Sequence, residues 1–317
     1  MLIIGHRDIT ELKISPEKIY QWVCETIKNK DQTILPPKCC LRPDAHRFFT
    51  TMPSIITYEN CMGVKIITRQ PDNEVGPSLS SQILLYDLDS GKLLAIMDGS
   101  YITAMRTGAI AAHTVSIFAR PDFSNIGLVG LGVTGTATMD MLATIFKDRE
   151  LTVHLLRHKN QEASFIERYK RYQNIHFVCH NLVPEMFQKC EVIISCVTYI
   201  DKDFASTDVY QEGCLVVPVH SWGFMGCDTV FDKVFVDDIG HTKHFKNFNE
   251  FKSVCEVSEV VRGIKPGREN KKERILVYNV GVSIHDIYFA KQIFKIISAT
   301  RNVELDAPLI KNWLINL

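Results

Sequence analysis

The sequence has no surplus of either charge, no long apolar run and no clustered cysteine pattern. Lysine plus arginine and aspartate plus glutamate both number 36, giving a formal net charge of +0. Without a basic stripe or an acidic tail, neither nucleic acid nor an anionic membrane surface is an expected partner. The opening MLIIGHRDIT is apolar only until His6, which is too short for a signal peptide or a membrane span. Ten cysteines are present, with Cys39 and Cys40 adjacent, but none form a CxxC pair. No metal site is expected from them, and reduced thiols in a cytoplasm are. His180 and Cys190 lack ligand-like companions and read as packing or surface residues. Internal repeats and low-complexity segments are also missing.

What is there suits a globular chain of one large or two ordinary domains: 317 residues, 46% of them hydrophobic. SPEKIYQWVCETIKNK predicts an amphipathic helix, capped by Ser15 with Pro16 in its first turn. RFFTTMPSIITYENCMGVKIITR predicts two strands joined near Glu59 and Asn60. SSQILLYDLDSGKLLAIMDG predicts a hairpin turning at Asp89-Ser90-Gly91. DGSYITAMRTGAIAA then predicts a helix. Residues 1–118 are thus expected to form an α+β unit. From 119 to 281 short apolar strands (NIGLVGLG, LTVHLL, IHFVC, EVIISCV, GCLVVPV, KVFVDD) alternate with helices, the pattern of a doubly wound parallel sheet. The C-terminal helical part, 282–317, is expected to pack back on the first unit.

Within NIGLVGLGVTG, Gly130, Gly132 and Gly135 have the spacing of a dinucleotide loop, with an apolar strand leading in and a helix leading out. The first two glycines allow a tight turn and close approach to a pyrophosphate, the third allows close helix packing, and the helix start at Val133 and Thr134 offers N–H donors. The second strand, LTVHLL, ends in Arg157-His158-Lys159 with no carboxylate before Glu162. That favours NADP(H) over NAD(H), with Arg157 and His158 placed for a 2′-phosphate. Three cations stand in apolar surroundings in the first unit: Lys38, Lys65 and Arg106. A buried arginine needs an anionic partner, and a small carboxylate suits a converging Lys and Arg pair. Lys65 can equally snorkel to solvent.

PPKCCL, TTMP, GVKIITRQPDN, MDGSYITAMRTGA, the GLG loop, VFVDD, PGREN and GVSIHD together, collinear over about 270 residues, resemble the ornithine cyclodeaminase/mu-crystallin family. The resemblance implies a Rossmann-type domain joined to a substrate-binding and dimerisation domain. It further implies a homodimer, an active site in the cleft between domains, a nicotinamide cofactor and an amino- or imino-acid substrate. By position it makes Lys38, Lys65 and Arg106 carboxylate-binding cations, and Lys65 also the group exchanging a proton with the substrate nitrogen. Thr107 and Gly281 fall near the cofactor, and Thr198 joins the candidate cofactor contacts.

The chain departs from cyclodeaminases at two places. Thr50 stands where they carry a Glu for the distal amine. Gly223 (or Trp222) stands where they carry an Asp, while Asp228, five residues on, reads as a surface residue beginning the next helix. Trp222 is expected to wall the pocket and favour a more apolar substrate. The expected activity is NAD(P)H-dependent interconversion of an imino acid and an α-amino acid. The alternatives are a cyclodeaminase releasing ammonia with catalytic NAD, and a non-catalytic NADP-binding carrier like mu-crystallin.

Overall fold

The computed structural model describes residues 1–71, 77–197, 200, 202–220, 222–298 and 301–304. Two sheets carry it. The first runs Arg301–Asn302, Leu2–Ile4, Leu93–Asp98, Leu79–Asp87, Cys61–Arg69, Phe48–Ile56, Thr33–Ile34, with Cys39–Leu41 also paired to Phe48–Ile56. It is antiparallel except where Leu2–Ile4 lies parallel to Leu93–Asp98. The second runs Ile175–His180, Leu151–Leu156, Asn125–Val129, Val192–Ser195, Leu215–Pro218, Ile275–Tyr278, Lys233–Val236, Val254–Glu256, and every pair in it is parallel. This is the α/β architecture expected, a doubly wound sheet beside an α+β unit. Strand order reverses between Asn125–Val129 and Val192–Ser195. At such a switch point the loops after the two strands diverge and leave a crevice for a ligand.

Local chemistry explains the elements that frame the site. Helix Pro16–Lys28 starts where the Ser15 hydroxyl accepts from the Lys18 N–H, and it buries Ile19, Trp22, Val23 and Ile27. The turn between Phe48–Ile56 and Cys61–Arg69 is made by Asn60 at φ +48°, and the hairpin turn by Gly91 at φ +68°. Helix Ser100–Phe118 is rich in small residues because it lies against helix Val133–Ile145. A Cβ on Gly108 would sit 2.4 Å from the carbonyl carbon of Ala137, so backbone meets backbone there. Lys30 adds a polar tie between the two units, reaching Asp238 at 2.8 Å and Glu256 at 2.5 Å.

Two features differ from the sequence reading. Val254–Glu256 and Ile275–Tyr278 are strands, although each is three or four residues long and set among charged residues that mask its apolar run. The C-terminal helix is shorter than 282–317: it spans Ser283–Ile296, across the first sheet's central strands. Ile297 then turns extended, and Arg301–Asn302 pairs with the otherwise open edge of Leu2–Ile4. Residues 305–317 lie outside the described residues.

Candidate active site

Each glycine of the NIGLVGLGVTG loop has its own role. Gly130 has φ +89°, and a Cβ there would lie 2.8 Å from the carbonyl carbon of Cys196. A Cβ on Gly135 would lie 2.0 Å from the Gly130 carbonyl oxygen, which fixes helix against loop. A Cβ on Gly132 would meet nothing within 4 Å. Gly130, Leu131 and Gly132 line a cavity of about 480 Å³ that His158 and Phe204 also reach. The helix beginning at Val133 points its free N–H groups to this side, and Val133 is 74% exposed. This open, glycine-walled crevice at a helix start fits a dinucleotide. Thr134 is half-buried on the same first turn.

The other predicted cofactor contacts are less uniformly placed. His158 lines the cavity, whereas the exposed Arg157 pairs with Glu162 at 3.1 Å. Glu162 is itself buried. Thr107 donates its hydroxyl to the Thr103 carbonyl at 2.5 Å within its own helix. Thr198 lies outside the described residues. Arg69, not singled out from the sequence, also lines the cavity.

A second cavity, about 490 Å³, adjoins through the strand Cys61–Arg69. Lys65 and Ile67 line this second cavity and Arg69 lines the first, so one strand face serves both. Lys38, Arg106, Thr50, Trp222 and Gly281 line it too. Lys65 is not a snorkelling lysine: it is fully buried, and its Nζ donates to Asp286 Oδ1 at 2.8 Å. Arg106 Nε donates to the same oxygen at 3.2 Å. Asp286 is the partner that a guanidinium among small residues requires. Burial alone would raise its carboxyl, but the Arg106 and Lys65 charges outweigh this and hold it below its ordinary value. Burial pushes the Lys65 ammonium down to about 8, against the pull of Asp286 and helped by Arg106.

Lys38 is held from two sides. Its Nζ donates to the Val280 carbonyl at 2.9 Å, and its backbone N–H donates to His241 Nε2 at 3.2 Å. An accepting Nε2 leaves the ring proton on Nδ1, directed to Asp238 at 2.8 Å. Asp238 in turn receives Lys30. Gly281, at φ +75°, lets the chain pass Arg106; a Cβ there would lie 2.9 Å from Nη1. Its N–H donates to the buried Asp237 at 2.9 Å.

Gly223 is not among the cavity's lining residues. A Cβ on it would strike the Phe204 ring at 2.5 Å, so it serves a packed turn at φ +88°. Asp228 is not a surface residue. It is 1% exposed, accepting from the Tyr278 hydroxyl at 3.0 Å and from Asn247 at 2.7 Å, and it does not line the cavity. His180 pairs with His154 at 2.8 Å, and Cys190 is buried with its thiol donating to the Met186 carbonyl. Among the described residues no His/Cys/Asp/Glu cluster has a metal-binding arrangement, and no helix is long and apolar enough to cross a membrane.

GVSIHD and VFVDD stand out in the sequence as motifs, but sequence reasoning gave Asp286, Asp237 and Asp238 no role. The signal was there: two cations in apolar context imply buried carboxylates, and these motifs hold the candidates.

The family model for the ornithine cyclodeaminase/mu-crystallin family matches residues 6–301. The chain belongs to this family. Among relatives, the nodulation efficiency protein NfeD of Rhizobium meliloti is 26% identical over 82% of this chain and 83% of its own. The N-((2S)-2-amino-2-carboxyethyl)-L-glutamate dehydrogenase of Staphylococcus aureus is 26% identical over 77% of each chain. Among solved structures, the Thermococcus litoralis Delta(1)-pyrroline-2-carboxylate reductase in complex with NADH and L-proline superposes with a TM-score of 0.80. It is 23% identical and covers 93% of this chain and 97% of its own. That likeness establishes the shared fold.

Proposed function

We propose that this family member is an NAD(P)H-dependent oxidoreductase that interconverts an imino acid and an α-amino acid at the α-carbon. The observation that carries the reading is Lys65: a fully buried ammonium, lowered to about 8, lining a cavity that shares a strand face with the dinucleotide crevice. Lys38 and Arg106 bind the substrate carboxylate, and Asp286 fixes Lys65 and Arg106 relative to one another. When bound, the reduced nicotinamide supplies the hydride. Lys65 donates the proton that makes the imine nitrogen cationic, so one hydride and one proton convert C=N to CH–NH. The oxidation is the same site run backwards.

NADP(H) is the favoured cofactor in this reading, since Arg157 closes the second strand and can exchange Glu162 for a 2′-phosphate. The partner is a second copy of the chain. The face of the first sheet opposite Lys65 carries an apolar hollow of about 350 Å³, walled by Ile34, Pro53, Ile55, Met62, Val64 and Tyr86. The ten free thiols suit a cytoplasmic setting. A cyclodeaminase reading loses support from Asp228, which is committed to Tyr278 and Asn247 away from the cavity.

The test supplies cyclic and open-chain imino acids with NADPH or NADH, following the reduced-nicotinamide absorbance and free ammonia together. Stoichiometric loss of the reduced cofactor is expected. Ammonia release from an amino acid with no net cofactor change would make it a lyase. Dinucleotide binding with no turnover of either kind would make it a carrier.

A further inference from the structure

The second cavity holds more positive charge than one carboxylate uses. Lys38, Cys40 and Arg42 all line it, at two-residue spacing along one extended stretch. That spacing puts them on one face, with the Lys38 and Arg42 backbones about 13 Å apart. Thr50 stands across from Cys40 and also lines the cavity. Phe48, next on that face, lies under the Arg42 guanidinium, 5.3 Å from Cζ to the ring centroid, so the cation is held at the cavity. Among the described residues no carboxylate lines the cavity and none pairs with Arg42. Burial, then the Arg106 and Arg42 charges, push the Lys38 ammonium below its ordinary value against Asp237, so these groups act as one electrostatic set.

Four cations line the cavity, Lys38, Lys65, Arg106 and the exposed Arg42, against two buried carboxylates nearby, Asp237 and Asp286, so the formal count leaves two positive charges in excess. On the function proposed above, the α-carboxylate takes one of them at the inner end, between Lys38 and Arg106. We infer that a second acidic group of the substrate takes the other: Arg42 binds it at the outer end, and the substrate is an imino or amino acid with an acidic side chain or N-substituent. Trp222 also lines the cavity, but four cations line it too, which overrides the apolar preference expected from Trp222 alone.

Two oxo acids with the same chain length, 2-oxoglutarate and 2-oxopentanoate, test this when each is reductively aminated with ammonium and reduced nicotinamide. The acidic substrate should lead in kcat/KM by about tenfold, the yield of a charge-assisted pair. Arg42→Gln should erase that ratio by raising KM for the diacid. Equal kcat/KM for the two substrates, or a ratio unchanged in Arg42→Gln, would overturn the inference. Calorimetric titration with glutarate and with butyrate separates it from the reductase reading. If neither oxo acid is reduced but glutarate binds more tightly and loses that advantage in Arg42→Gln, the acidic subsite stands and the reductase reading falls. If glutarate binds no better than butyrate, the subsite falls whatever the turnover.

Discussion

The Lys65 ammonium and the Asp286 carboxylate meet at 2.8 Å with neither side chain exposed to solvent. Such a pair is expensive to desolvate and expensive to break, because removing one partner leaves the other buried and uncompensated. Arg106 on the same carboxylate oxygen relieves part of this, since it keeps Asp286 paired if Lys65 is lost.

Lys65→Met therefore separates chemistry from folding. Arg106 still neutralises Asp286, so the variant should remain folded by circular dichroism. Turnover should drop by about 10²–10⁴, the range for a positioned proton donor. Retention of near-full kcat with any imino acid the wild type reduces would remove Lys65 from the mechanism.

The pH dependence carries a sign. On the proposed mechanism imine reduction needs the protonated Lys65, which is present below its value of about 8 and lost above it. The rate of reduction should be flat on the acid side and fall as pH rises through that value. Asp286 raises the Lys65 value, so Asp286→Asn should move the break to lower pH as well as lowering kcat. A lower rate with an unmoved break would reduce Asp286 to a purely structural residue.

The dinucleotide loop was legible in the sequence because glycine spacing, an apolar strand and a following helix are local signals, and Gly130 and Gly135 occupy the conformation and the close contact that require glycine. The cation set was visible as charge in apolar context. What compensates it was not: Asp286 follows Lys65 by 221 positions and meets it only because helix Ser283–Ile296 crosses the first sheet. Arg42 and Arg69 escaped notice for a related reason. Each stands on a strand face shared with a recognised residue, and that face is set by long-range register. Gly223 and Asp228 were misread because a small shift within a loop decides whether a side chain faces a cavity or the core.

Gly108 joins the two units without any side chain. Gly108→Val would drive its Cβ into the Ala137 backbone, where 2.4 Å is already too short for a single added carbon. Overpacking of this kind costs about 1–3 kcal/mol. Because helix Ser100–Phe118 also carries Arg106, the KM for the substrate should rise alongside the fall in urea midpoint. A variant with wild-type stability would show that the two helices can part without cost.

Arg157 offers the sharpest test of cofactor choice. It pairs with Glu162 at 3.1 Å, and the second oxygen of that buried carboxylate has no hydrogen-bond partner among the described residues. On the proposed NADP(H) reading, Arg157 would exchange Glu162 for the 2′-phosphate, a charge-assisted contact worth about 1.5–3 kcal/mol. With NADH there is no phosphate, and Arg157 does nothing for binding. Arg157→Ala should thus raise the KM for NADPH by about tenfold or more. It should leave the KM for NADH unchanged or lower it, because Glu162 is then free to accept from the ribose hydroxyls. Parallel shifts for both cofactors would show that Arg157 supports the loop rather than reads the phosphate, and the preference for NADP(H) would lose its basis.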